Sequence, residues 1–324
     1  DRIVAIGSGK GGVGKSTLTT NLAVALAREG RRVGVLDADI YGPSQPRMLG
    51  VTQRPTSEGD RIQPVRAHGL VMMSIGLMMK EGEALVWRGP MLMGALQQML
   101  NQVEWGELDA LLVDLPPGTG DVQLSLCQKA QVTGAIIVST PQDVAMIDAR
   151  RAIDMFDKLR TPVLGLVENM SSYVCPNCGH EAHLFGHGGV AAEAQARGLP
   201  YLGEIPLDLS VREGGDSGEP VVLSAPDSAS GRALRAIADK LATVGPLADS
   251  LGYADGENMP LEEALDGIAS QAGEWASSVL KATGDQQQAN AILADGREQR
   301  FLEDGQTVVL RGRAPGADES VVDF

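Results

Sequence analysis

The chain has 324 residues, 43% of them apolar but only 3% aromatic, with 42 acidic against 27 basic side chains and a formal net charge of −15. At this length core burial is not limiting, and an interior built from Leu, Val, Ile, Ala and Met favours helices covering a sheet over an all-β sandwich. The negative balance opposes nucleic-acid backbones and anionic lipid, and no apolar run reaches the roughly 18 residues of a membrane span. A soluble, cytoplasmic protein with neither nucleic acid nor membrane as partner is therefore expected.

From residue 1 to about 243, short β-branched apolar runs alternate with amphipathic stretches, the pattern of a mostly parallel sheet with crossover helices. The first predicted strand, Ile3 to Gly7, runs into Ser8-Gly9-Lys10-Gly11-Gly12-Val13-Gly14-Lys15-Ser16-Thr17 and then a helix over Lys15 to Arg28. Glycines let backbone N–H groups turn inward around phosphates, and the helix adds its unpaired donors and positive dipole end. Lys15 then reaches the β and γ phosphates of ATP, and the Ser16 hydroxyl ligates Mg²⁺. A glycine-rich turn serving only as a cap would not explain Lys-Ser at the helix start. Lys10, a second lysine inside the loop, reads alone either as a functional cation or as a solvated charge.

The second strand, Val33 to Asp37, delivers Asp37 and Asp39 to its end, before the turn-prone loop Ile40-Tyr41-Gly42-Pro43-Ser44. Phosphoryl transfer needs a water held in line and a metal held in place, and Asp39 is assigned to position that water. Asp37 faces the same edge, with a turn cap as its alternative role. A strand over Leu70 to Ile75 and a helix over Met91 to Gln102 follow. Ala110 to Leu115 is an apolar strand carrying Asp114, the Walker B arrangement that holds Mg²⁺ through its water shell. The loop Leu115-Pro116-Pro117-Gly118-Thr119-Gly120-Asp121 is longer than a strand-to-helix turn needs and suits a segment that responds to the γ phosphate.

A helix over Asp121 to Ala130, a strand over Ala135 to Thr140, a helix over Val144 to Lys158 and a strand over Pro162 to Glu168 continue the alternation. Asn169 ends that last strand, where an adenine-facing amide is expected in such folds. Val174-Cys175-Pro176-Asn177-Cys178-Gly179 reads as a loop presenting two thiols, half the ligands of a tetrahedral site. Cys127, expected inside a helix, cannot complete it. Two subunits each donating a pair, a zinc site completed by His180, His183 or His187, and a redox pair all remain open on these residues. A helix over Val190 to Ala196, a strand over Tyr201 to Ile205 and a helix over Ser228 to Ala242 finish an ATPase domain spanning 1–243.

Composition changes near Gly245-Pro246. The residues beyond hold 15 acidic against 5 basic side chains, so 244–324 read as an acidic extension of uncertain fold. A helix over 260–282 and a strand over Thr307 to Arg311 are the candidates there, and 295–313 is similar to the last strands of fumarylacetoacetate hydrolases without that family's catalytic core.

In sequence order, the phosphate loop, Asp37-Ala38-Asp39-Ile40-Tyr41-Gly42-Pro43-Ser44, Trp87-Arg88-Gly89-Pro90-Met91, Asp114-Leu115-Pro116-Pro117-Gly118-Thr119-Gly120-Asp121, Glu168-Asn169-Met170, the cysteine pair, Phe185-Gly186 and Gly203-Glu204-Ile205-Pro206-Leu207 resemble the Mrp (ApbC) family of iron-sulfur carrier ATPases, relatives of MinD and the nitrogenase iron protein. The resemblance covers 1 to about 243 and implies a doubly wound α/β fold with a deviant Walker A loop. It implies ATP bound through Gly9, Lys10, Gly11, Gly12, Val13, Gly14, Lys15, Ser16, Thr17, Asp37, Asp114 and Asn169, with Lys10, Lys15 and Asp39 catalytic. It further implies a homodimer in which Lys10 reaches the other subunit's nucleotide and Cys175 and Cys178 bridge a [4Fe-4S] cluster with their symmetry mates. A cluster donor and recipient apo-proteins follow as partners. A MinD-like nucleotide-switched adaptor with a structural zinc knuckle is the competing expectation. The acidic tail is not part of the family's usual pattern.

Overall fold

In the computed structural model, residues 2–40, 42–78, 89–130, 132–175, 177–250, 299–303 and 306–310 are described. Tyr41, Trp87, Arg88, Pro176, the expected helix over 260–282 and most of 295–313 lie outside them. By its internal contacts the chain divides into Asp1–Ala248 and Asp249–Phe324.

The first unit opens with β1 (Arg2–Gly7), α1 (Lys15–Arg28), β2 (Val33–Asp37) and the short α2 (Gln45–Met48). A small hairpin of β3 (Thr56–Glu58) and β4 (Arg61–Gln63) precedes β5 (Val65–Ala67), β6 (Leu70–Ser74), α3 (Ile75–Met78) and α4 (Gly89–Asn101). Next come β7 (Ala110–Asp114), α5 (Asp121–Lys129), β8 (Val132–Ser139), α6 (Asp143–Lys158) and β9 (Val163–Val174). β10 (Glu181–Ala182), α7 (Gly189–Arg197), β11 (Tyr201–Leu207), α8 (Leu209–Ser217), α9 (Val221–Ser224) and α10 (Ala229–Ser250) complete it.

The main sheet runs β10-β9-β8-β1-β7-β2-β6-β5, with β11 also paired to β9. Its body is parallel, and only the short β5 and β10 pair antiparallel. The expected doubly wound class is therefore what forms. Two apolar layers sandwich the sheet. Leu18, Leu22 and Val24 of α1 meet Leu234 and Ile237 of α10 against Val4, Ile6 and Leu112. On the other face Leu96, Leu126, Met146, Phe156 and Val190 cover Ala5, Leu111 and Val113. Neighbouring strand residues thus serve opposite layers, as the two-residue repeat of a strand requires.

Most predicted elements form with ends shifted by a residue or two. One difference matters: the strand expected over Pro162 to Glu168 continues as β9 to Val174, because β11 pairs along it to Tyr173 and β10 folds back on Tyr173 and Val174. The cysteine pair expected in a loop therefore sits at a hairpin tip. In the second unit, the strand expected at Thr307 to Arg311 is β13 (Gln306–Leu310), antiparallel to β12 (Gln299–Glu303). No helix among the described residues is long and apolar enough to cross a membrane.

Candidate functional site

β1 lies between β7 and β8, and parallel registry brings Ile6 beside Asp114 and Asp37 beside Asp114. The loop after β1 and both carboxylates thus share the C-terminal edge of the sheet, where open α/β folds bind ligands. Gly14, left-handed at φ 89°, precedes α1, and no side chain caps that helix, so its first N–H groups are left for a ligand. Gly9 is required sterically: a Cβ there would stand 2.1 Å from the backbone carbonyl carbon and oxygen of Asp148 on α6.

Lys15, only 6% exposed, donates from Nζ to Asp114 Oδ1 at 2.6 Å and to Ser16 Oγ at 3.3 Å, and stands 3.8 Å from Asp39 Oδ2. The structure thus brings Lys15, Ser16, Asp39 and Asp114 together. Thr19 Oγ1 also donates to Asp114 Oδ1 at 3.2 Å. Asp37, fully buried, accepts from Gln45 N (3.2 Å), Ser74 Oγ (3.0 Å) and Asp39 N (3.2 Å), so it ties down the turn after β2. Burial, reinforced by the charge of Asp114, pushes its carboxyl pKa up to about 7. Lys10 is half-buried, and its carbonyl accepts from Ser8 Oγ at 2.9 Å.

The Asn169 amide donates to the Val13 carbonyl at 2.8 Å, clamping the phosphate loop from β9. The loop after β7 is tethered too. Gly118 N donates to Ser8 O at 2.8 Å, and the buried Gln123 amide donates to the carbonyls of Pro116 (2.7 Å) and Gly118 (2.9 Å). Sequence reading missed Gln45, Gln123 and Thr19. Their types carry no distinctive spacing, and only the tertiary fold shows that their hydrogen bonds end on the loop, the carboxylates and the turn.

At the far end of β9, Cys175 N donates to His180 O and Gly179 N to Cys175 O, both at 2.9 Å. The backbone N–H groups of Asn177 and Cys178 are aimed at the Cys175 sulfur and hold its pKa below the usual thiol range. Cys175 is half-buried and Cys178 exposed, with exposed Val174 and Leu184 nearby in the chain. Two of the three candidate histidines are engaged elsewhere: His183 Nδ1 lies 2.9 Å from Ser171 O, His187 Nε2 lies 3.0 Å from Glu204 Oε2, and their tilted rings lie 4.4 Å apart. Among the described residues, the group of three metal-ligand side chains close enough to share an ion is Glu168, His187 and Glu204, and neither cysteine belongs to it. Glu168 there accepts from Gly188 N and Val190 N at the start of α7, an ordinary helix cap. Cys127 lies on α5, half-buried, with burial raising its thiol pKa.

A parallel sheet, a glycine loop entering an uncapped helix, and a lysine between two strand-end carboxylates define a P-loop NTPase. Residues 1–242 match the ParA-group model described as the NUBPL iron-transfer P-loop NTPase, and the chain belongs to that family. It is 57% identical over 242 residues to the iron-sulfur cluster carrier protein of Deinococcus radiodurans, covering 74% of this chain and 69% of that protein. It is 53% identical over 242 residues to the carrier protein of Escherichia coli, covering 74% and 66% respectively. The chain thus spans about two thirds of the length of these bacterial relatives. Over 241 residues it is 52% identical to the mitochondrial iron-sulfur protein required for NADH dehydrogenase of Arabidopsis thaliana, covering 74% and 77%. Among solved structures it is similar to a nucleotide-binding protein of Archaeoglobus fulgidus in complex with ADP, with TM-score 0.60 and 41% identity over 67% of this chain and 86% of that one. It is also similar to the septum site-determining protein MinD of Pyrococcus horikoshii complexed with Mg-ADP, with TM-score 0.59 and 26% identity over 75% and 98%.

Proposed function

We propose that the chain carries a [4Fe-4S] cluster between a donor and apo-proteins, under the control of ATP bound at the edge formed by β1, β2 and β7. The observation that carries this reading is the hairpin tip: two accessible thiols, one favoured as thiolate by backbone donors, with no third ligand from its own described residues. A four-ligand cluster then needs a second pair, and a two-fold pairing of identical chains supplies it. Exposed Val174 (48%) and Leu184 (59%) give that pairing apolar surface to cover. The relatives named as iron-sulfur cluster carriers support the same assignment.

At the nucleotide edge, Lys15 would move from Asp114 to the β and γ phosphates, while Asp39 orients the attacking water. The hydroxyl of Ser16 and the carboxylate of Asp114 are hard oxygen donors, the set that suits Mg²⁺. Bound there, Mg²⁺ would neutralise charge on the leaving phosphate. Lys10 reaches the partner subunit's nucleotide, and hydrolysis by the isolated protein is slow.

Anaerobic reconstitution with iron and sulfide, followed by metal analysis and sizing, tests the reading. About four irons per dimer, lost in Cys178→Ser, are expected. Stoichiometric zinc in a monomer would overturn the carrier role and favour the nucleotide-switched adaptor.

A further inference from the structure

Gln45 is fully buried at the start of α2, in a turn that carries no recognised catalytic group beyond Asp39. Its side-chain nitrogen donates to Asp114 Oδ2 at 2.9 Å and to Ser16 O at 3.0 Å. Its side-chain oxygen accepts from Thr20 Oγ1 at 2.7 Å, and its backbone N–H donates to Asp37 Oδ2 at 3.2 Å. Both amide hydrogens end on acceptors and the oxygen faces a hydroxyl, so only an amide satisfies this pocket. Leu or Met would fill the space and leave the buried Asp114 oxygen without its donor.

We propose that Gln45 is a positioning residue for the metal side of the nucleotide site. It fixes the rotation of the Asp114 carboxylate and fastens the turn carrying Asp39 to α1, so that carboxylates from two strands and the Ser16 end of α1 hold one geometry. Asp114 has its other oxygen on Lys15 and Thr19. When Lys15 turns to phosphate, Gln45 and Thr19 are the contacts that keep the carboxylate from swinging. This inference rests on the Mg²⁺–ATP reading above and adds which residue makes that metal site rigid.

The test uses Gln45→Met, which keeps length and volume but donates nothing, and Gln45→Asn, which keeps the amide on a shorter arm. A fluorescent ATP analogue is titrated into the folded 324-residue chain in EDTA and across a Mg²⁺ series, with circular dichroism confirming the fold. Loss of a group that orients a metal ligand weakens metal binding by about 10- to 100-fold. The Mg²⁺ concentration giving half-maximal gain in affinity should rise by at least about tenfold in either variant, while affinity in EDTA stays within about twofold. An unchanged Mg²⁺ midpoint in either folded variant, or an equal loss with and without Mg²⁺, would overturn the assignment. Wild type showing no Mg²⁺ dependence would instead sink the metal reading itself, and this inference with it.

Discussion

The two ends of the reactive surface are built on opposite principles. At the nucleotide edge Lys15, Asp37 and Asp114 are buried and already partnered: Lys15 with Asp114 and Asp39, and Asp37 with Gln45, Ser74 and the backbone of Asp39. At the hairpin tip, both thiols are accessible and their protein partners are backbone N–H groups and each other. The first region holds a preorganised polar network, in which low dielectric makes each bond strong and each loss costly. The second presents two thiols, half the ligands of a four-coordinate site, at the surface. β9 belongs to both, through Asn169 on the phosphate loop and Val174 next to Cys175, with left-handed Met170 (φ 59°) between them. The proposed reading assigns the nucleotide to the first region and the cluster to the second.

Independence of the two regions is the first thing to break. Cys175→Ser should abolish cluster loading, read by iron content and visible absorbance, while leaving ATP-analogue affinity within about twofold, because no hydrogen bond from either thiol reaches the nucleotide edge among the contacts described. A parallel loss of nucleotide binding would show one coupled site. Lys15→Ala should do the converse. A charge-assisted contact contributes about 1.5–3 kcal/mol, so affinity should fall about 10- to 100-fold with iron content unchanged, and an unaltered affinity in calorimetry would refute the assignment of Lys15.

How far these regions can be read without a structure also differs. The phosphate loop is legible because its function is local: Gly9 to Thr17 are contiguous, and each residue type has a backbone or phosphate reason. Asp37 and Asp114 were found because apolar strands ending in carboxylates mark a sheet edge. Gln45 and Gln123 were not, since the Gln45 contact lies 69 residues away and the Gln123 contacts are to backbone carbonyls, which no side-chain pattern marks. The cysteine pair was visible as a half-site, but its hairpin was not, because β10 is only two residues long and exists by pairing with β9. Asn169 was expected to face the adenine; its bond to Val13 shows that it holds the loop.

Smaller effects sharpen the contrast in rigidity. Gly9→Ala forces a methyl into the Asp148 backbone, so a loss of about 1–3 kcal/mol is expected. That corresponds to a thermal midpoint lower by about 5 °C; a midpoint within error of wild type would mean that α6 gives way freely. Asn169→Ala removes one neutral hydrogen bond from the loop, about 0.5–1.5 kcal/mol, and ATP-analogue affinity should fall about two- to tenfold. A larger loss, with the loop's protease resistance unchanged, would favour direct contact with the adenine over clamping.

A further effect is expected in the pH dependence of stability, and it belongs to the nucleotide edge alone. Asp37 ordinarily titrates near 3.8, but burial and the neighbouring charge of Asp114 raise it to about 7 in the folded chain. The native state therefore holds this proton more tightly than the unfolded chain, and stability declines as pH rises from about 4 to about 7, then levels off. Asp109, held down to about 2 by Arg32, and Glu193, held down by Arg150 and Arg197, act in the opposite sense and only on the acid side. Between pH 5 and 8 the Asp37 contribution should dominate, so the thermal midpoint in EDTA should fall by a few degrees. Mg²⁺ with ATP favours the ionised carboxylates and should flatten that slope, whereas Cys175→Ser should leave it in place, since the hairpin thiols stand outside this network. A midpoint flat from pH 5 to 8 in EDTA would mean that Asp37 is ionised throughout and that Lys15, shared between Asp114 and Asp39, already screens the whole edge.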